Sequence, residues 1–235
     1  MSQPITVIID GVEVKGTKGE TILELADQAG VYIPRLCYSK DLVPGGACRV
    51  CTVLVDGRPQ SACTYPAANG MVVESMTPEL HERRKQIIEM LFVEGNHYCM
   101  FCEKSGNCEL QATAYRLGIL APRYPYQFPL REVDASHADV MVDHNRCILC
   151  GRCVRASRDV DGKNVFQFVQ RGHRTRVAVN SASGLGATEL AVTDKAAAVC
   201  PVGAIIKKRV GFAVPVGQRL YDHKPIGSDI EARRP

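Results

Sequence analysis

The sequence predicts an α+β chain of three small units in series, with a short arm at the end. Three observations carry that expectation. Residues 1–78 run hairpin, helix, loop, hairpin. From Pro78 the strand-like alternation gives way to helical spacing. And the eleven cysteines fall into three groups with none left over. The expected boundaries are 1–78, 79–130, 131–210 and an arm over 211–235.

In the first unit Ile5, Val7 and Ile9 alternate, Asp10-Gly11 is a two-residue turn, and Val12 and Val14 resume the strand pattern. Thr21-x-x-Glu24 is a capping box that opens a helix. Ile22, Leu25, Ala26 and Ala29 form its apolar face and Gly30 ends it. A second hairpin, Thr52–Val55 with Arg58–Thr64, turns at Asp56-Gly57. That order is the one expected of a β-grasp fold.

The second unit is expected to be helical. Leu80, Ile87, Ile88 and Leu91 mark one helix, and Leu110, Ala114 and Leu117 a shorter one closed by Gly118. Residues 121–130 hold three prolines and three aromatics and read either as an extended strap on a neighbour or as an ordinary loop. In the third unit, candidate strands Val165–Val169 and Thr175–Val179 lie between a cysteine triplet and Cys200. Residues 211–235 carry few apolar side chains and read as a partner-docking arm or a frayed tail. The units are expected to fold separately.

An odd cysteine count arranged in C-x-x-C pairs argues against a secreted disulfide framework. The first twenty residues show no basic-then-apolar leader, and no apolar run is long enough to span a bilayer. The reading is a soluble protein of a reducing compartment, the cytoplasm. The formal charge is +4. Eleven thiolates and three oxidised cluster cores would bring it to about −1, so the basic pI is no argument for nucleic acid.

The cysteine spacing carries the chemistry. Cys37, Cys48, Cys51 and Cys63 place three thiolates around one loop and a fourth at the end of a hairpin. Gly45 and Gly46 let the backbone wrap closely, and Arg49 sits inside the pair where its charge would offset the thiolates. In β-grasp context this set points to a [2Fe–2S] cluster. Cys99, Cys102 and Cys108 form a second set, with His97 as its fourth candidate ligand and Glu94, Glu103 or solvent as alternatives. A neutral imidazole would leave the cluster one negative charge short of an all-cysteine site and raise its potential. Cys147, Cys150 and Cys153 with the distant Cys200-Pro201 match the spacing that wraps a [4Fe–4S] cubane. Zinc is the competing reading for each set, with the chain then a structural module.

Some motifs are missing. Gly184-Leu185-Gly186 lacks the third glycine of a dinucleotide fingerprint, no Walker A loop occurs, and every cysteine is already assigned. NAD, FMN and nickel are therefore expected in partners and not here, and no catalytic residue is assigned.

The three sets in this order resemble the N-terminal part of the large iron–sulfur subunit of respiratory complex I. The stretches GVYIPRLCY, LFVEGNHYC, CEKSGNCELQ and CPVGAIIKKRVGF are similar to the diaphorase iron–sulfur subunit family of soluble NAD-reducing [NiFe] hydrogenases. So is the single residue between His97 and Cys99, where the complex I pattern has three. The resemblance implies one [2Fe–2S] and two [4Fe–4S] clusters. It implies electron transfer between an FMN-containing, NADH-oxidising diaphorase subunit and a [NiFe] hydrogenase small subunit, and through it the large subunit. An NAD-linked formate dehydrogenase or another complex I-like enzyme is the alternative setting.

Overall fold

The computed structural model describes residues 3–234. The first unit is a five-stranded mixed sheet with one helix across it. Strands β1 (Pro4–Ile9) and β2 (Val12–Thr17) pair antiparallel through the Asp10-Gly11 turn, where φ is +48° and +80°. Positive φ at both central residues is the turn whose twist matches a hairpin. Helix α1 (Ile22–Gln28) starts at the expected capping box: Thr21 Oγ1 accepts from the Glu24 N–H, and the Glu24 carboxylate accepts from the Thr21 N–H. Strands β3 (Thr52–Val55) and β4 (Arg58–Ser61) form the second hairpin. A short strand absent from the sequence expectation, β5 (Val72–Glu74), lies at the centre, parallel to β1 and antiparallel to β3. Three residues are too few to show a period, so its pairing became visible only in the sheet. Ile5, Val7 and Ile9 point inward onto Ile22, Leu25 and Ala26 of α1, with Val53, Cys51 and Cys63 in the same core.

Helix α2 (Pro78–Val93) is capped by Thr77, whose hydroxyl accepts from the Leu80 N–H, and has proline at its first position. Its buried Arg84 docks it on the first unit by donating to the carbonyls of Val50, Thr52 and Ser75. Helix α3 (Glu109–Arg116) follows Cys108, and Gly118 turns the chain at φ +69°. Residues 121–130 are a strap along α2 of this same chain. Arg123 pairs with Glu82 and Glu89, and the Gln127 N–H donates to Val93 O.

The third unit holds β6 (Val133–Asp134), β7 (Val140–Asp143), α4 (Arg152–Asp159), β8 (Phe166–Val169), β9 (Arg176–Val179), α5 (Lys195–Ala198) and β10 (Ile205–Lys207). Strands β10, β7 and β6 make one antiparallel sheet, and β8 with β9 the expected hairpin. The last described segment is not frayed. Helices α6 (Leu220–His223) and α7 (Ser228–Glu231) fold back so that Ile226 packs on Tyr32 and Ala112, and Arg116 pairs with Glu231. A few well-placed apolar groups and one ion pair suffice for a segment whose composition reads as tail.

The units do not have separate interiors. One buried cluster joins Leu36 and Val50 of the first, Ile88 and Leu110 of the second, and Val202 and Ala204 of the third. The apolar surface at each boundary is thus buried against its neighbour, and the three units share one interior. Among the described residues no helix is long and apolar enough to cross a membrane.

Candidate iron–sulfur cluster sites

All eleven cysteines are free thiols among the described residues. The loop from α1 to β3 brings Cys37, Cys48 and Cys51 to the end of the β3–β4 hairpin, where Cys63 sits. The Cys37 N–H donates to Cys48 Sγ at 3.4 Å. Hydrogen bonds from Cys48 and Cys63 lower the Cys37 pKa to about 2, and one from Cys63 lowers that of Cys51 to about 7. Their donors, Cys48 and Cys63, are pushed up in turn. Hydrogen bonds within the set thus favour the thiolate form at Cys37 and Cys51 and the thiol form at their donors. Gly46 at φ +62° lies against Thr64, as a close-wrapped ligand loop requires. The Arg49 backbone takes φ +59°, and its guanidinium donates to Ser61 Oγ, two residues before Cys63.

In the second set Cys99 begins a short 3-10 turn and Cys108 is the N-cap of α3. Burial pushes the Cys108 thiol up to about 12 and raises that of Cys99. His97 lies in the same region with its ring edge-on to Phe92, 5.5 Å between centroids. Its Nε2 is buried without a hydrogen-bond partner. Burial first, then Arg146 and Arg131, lower its pKa to about 4. It is therefore the neutral imidazole that a metal ligand must be. Of the alternatives, Glu94 is exposed, and the Glu103 carboxylate is held by Arg146 at 2.7 Å. Arg146 also approaches Cys102 Sγ at 3.6 Å. Gly203 closes against the same sulfur: a Cβ there would stand 2.7 Å from it.

In the third set Cys147, Cys150, Cys153 and Cys200 line one cavity, whose other walls include His144 and the apolar side chains of Val142, Ile148, Phe166, Val177 and Ile205. Gly151, left-handed at φ +69°, turns the chain into α4, so that Cys153 lies in the first turn. Burial pushes the thiols of Cys147 and Cys150 up to about 11 and 12 and also raises that of Cys153. Pro201 makes the sharp exit expected of it, and its carbonyl accepts from the Glu109 N–H at 2.8 Å, tying the third set to the second. Among the described residues no three His, Cys, Asp or Glu side chains close around the position of a single ion.

Sequence reasoning missed three arginines around the triplet. Arg146 reaches the second set as described. Arg152 pairs with Glu109 through two bonds of 2.6 Å. Arg155 reaches the carbonyls of Cys37 and Cys150. Their spacing just before, within and just after Cys147–Cys153 is the signal that could have found them.

The sulfur sets, the orphaned imidazole nitrogen and the cysteine-lined cavity fit iron–sulfur clusters. With the β-grasp and ferredoxin-like architecture, they define an iron–sulfur protein built of 2Fe–2S and 4Fe–4S binding domains. Family descriptions match in the same order. A 2Fe-2S iron-sulfur cluster binding domain matches residues 2–78, the NADH-ubiquinone oxidoreductase-G iron-sulfur binding region 84–123, and a 4Fe-4S single cluster domain 140–206. The NAD-reducing hydrogenase HoxS subunit gamma of Cupriavidus necator is 42% identical over 219 residues, 93% of each chain. A chain of a crystal structure of NAD+-reducing [NiFe]-hydrogenase in the H2-reduced state superposes with a TM-score of 0.93 and 45% identity over 98% of each chain. The NADPH-Fe(3+) oxidoreductase subunit alpha of Geobacter sulfurreducens is 33% identical over 88% of this chain, which spans 24% of its length. The chain belongs to the gamma-subunit family of NAD-reducing hydrogenases.

Proposed function

We propose that this chain is the electron-transfer subunit of a cytoplasmic NAD-reducing hydrogenase, carrying single electrons between an FMN-containing, NAD(H)-reacting subunit and a [NiFe] hydrogenase small subunit. The observation that carries the reading is the likeness to the HoxS gamma subunit over 93% of both chains, together with three cysteine sets joined through one interior. Cys37, Cys48, Cys51 and Cys63 would hold a [2Fe–2S] cluster. His97, Cys99, Cys102 and Cys108 would hold one [4Fe–4S] cluster, and Cys147, Cys150, Cys153 and Cys200 the other. When bound, such clusters supply one-electron redox chemistry over delocalised metal and sulfide orbitals.

The chain's own residues prepare that chemistry. Five of its eleven thiols are buried and six half-buried, and cluster loading would release the protons of those that become ligands. His97 presents a neutral nitrogen. Arg146 places positive charge beside Cys102, where thiolates accumulate negative charge. Eleven free thiols suit a reducing compartment.

The test is iron, sulfide and co-purifying activity. Anaerobically prepared protein should hold about eight to ten irons with as many labile sulfides. Mild affinity purification of the native protein should bring hydrogen-dependent NAD reduction with it. A colourless zinc protein would sink the cluster reading, and formate-dependent NAD reduction in place of the hydrogen-dependent activity would move the relay to a formate dehydrogenase.

A further inference from the structure

A cation of the third unit reaches into the loop of the first cysteine set. Arg155, on α4, is 9% exposed. Its Nη2 donates to Cys37 O at 2.5 Å and to Cys150 O at 3.4 Å. Its Nη1 donates to Val43 O, and its Nε to Gly151 O at 3.2 Å. All four acceptors are backbone carbonyls. The nearest carboxylate on its own helix, Asp159, is exposed and pairs with Arg158. Gly45 lies against the guanidinium, its Cβ position 3.4 Å from Nε. The loop carrying the first set therefore folds around this side chain. Arg152, by contrast, is neutralised by Glu109, and Arg35 by Asp27. Arg84 is also bonded only to carbonyls, but it flanks the first set alone.

We propose that Arg155 is a positioning residue that clamps the ligand loop of the first set to that of the third, and that its charge, bonded to carbonyls and to no carboxylate, raises the reduction potential of both centres. The inference rests on the ligand assignment proposed above. A guanidinium suits both tasks. Its planar fork reaches several carbonyls at once, and it keeps its charge when buried. One-electron reduction adds one negative charge to a centre without requiring a proton. A nearby cation in a poorly screening interior favours that state. The fork also fixes the separation of the two loops, on which electronic coupling depends.

The experiment compares Arg155→Gln and Arg155→Lys with the unaltered, cluster-loaded chain. Redox titration followed by electron paramagnetic resonance reads the midpoint of each centre. Spin–spin relaxation between the reduced first and third centres reads their coupling. Arg155→Gln should make reduction of the first and third centres about tenfold less favourable, which is about 59 mV for a one-electron couple. The second centre should stay in place. Arg155→Lys should keep the midpoints but weaken the coupling, because an ammonium cannot bridge both loops. A fully loaded Arg155→Gln protein with unmoved midpoints overturns the charge role, and Arg155→Lys with unaltered coupling overturns the clamp. Should the glutamine variant fail to load iron, Arg155→Met reads the charge role in its place, and unmoved midpoints there overturn it, while the lysine variant decides the clamp. Absence of a [2Fe–2S] signal from the unaltered chain would instead defeat the ligand assignment itself.

Discussion

Replacing Gly203 by alanine should dislodge one sulfur and leave the fold standing. Gly203 lies two residues after Pro201, where the third unit passes behind the second cysteine set. A Cβ at this position would lie 2.7 Å from Cys102 Sγ, 3.3 Å from Lys104 Cβ and 3.4 Å from Arg146 Cδ. The last two are tolerable, but the first is about 0.7 Å inside ordinary contact, so the sulfur must give way. Metal–ligand distances tolerate only about 0.2 Å. The overpacking costs about 1–3 kcal/mol, within what a folded chain can bear. The second centre should therefore become labile, with loss of up to about four irons, while the [2Fe–2S] signal persists. Iron analysis with electron paramagnetic resonance of the reduced protein reads both. Gly118→Ala is the control: φ there is +69°, so it adds backbone strain, but nothing lies within 4 Å of its Cβ. Full iron and an unaltered second-centre signal in Gly203→Ala would refute the assignment of Cys102 as a ligand.

Other outcomes follow from the same geometry. Arg84→Met leaves three buried carbonyls without their donor and should cost about 3–5 kcal/mol, read as a fall of about 10 °C in the unfolding midpoint; a fall under about 2 °C would show that α2 is held by apolar packing alone. His97→Cys should retain a [4Fe–4S] cluster at a lower potential, because one more negative charge favours the oxidised state, and His97→Ala should make it labile or convert it to a three-iron form. A His97→Ala protein with full iron and unchanged potential would return the fourth position to Glu94, Glu103 or solvent. The chain should unfold in one calorimetric transition, since Leu36, Val50, Ile88, Leu110 and Val202 share one interior; two resolved transitions would restore the picture of independent units.

Local rules placed much of the first unit. Both Asp-Gly turns adopt the paired positive φ their composition favours, and the Thr21–Glu24 box forms as written. Short-range chemistry is legible because its partners lie within a few residues. Strand β5 was not, being three residues whose partners are distant β1 and β3. The Arg49 contact was not legible either, because its partner Ser61 comes from the next hairpin strand, twelve residues on.

The sequence by itself determined the β-grasp order of the first unit and the likeness to hydrogenase diaphorase subunits, and it suggested the grouping of the eleven thiols, because spacing and turn chemistry are local. Tertiary structure alone decided how the three sets face one another. Arg155 meets Cys37 across 118 residues, and Gly203 meets Cys102 across a unit boundary. Such contacts depend on how closed units pack, and a buried cation or a missing Cβ gains its meaning only from the surfaces that packing brings against it.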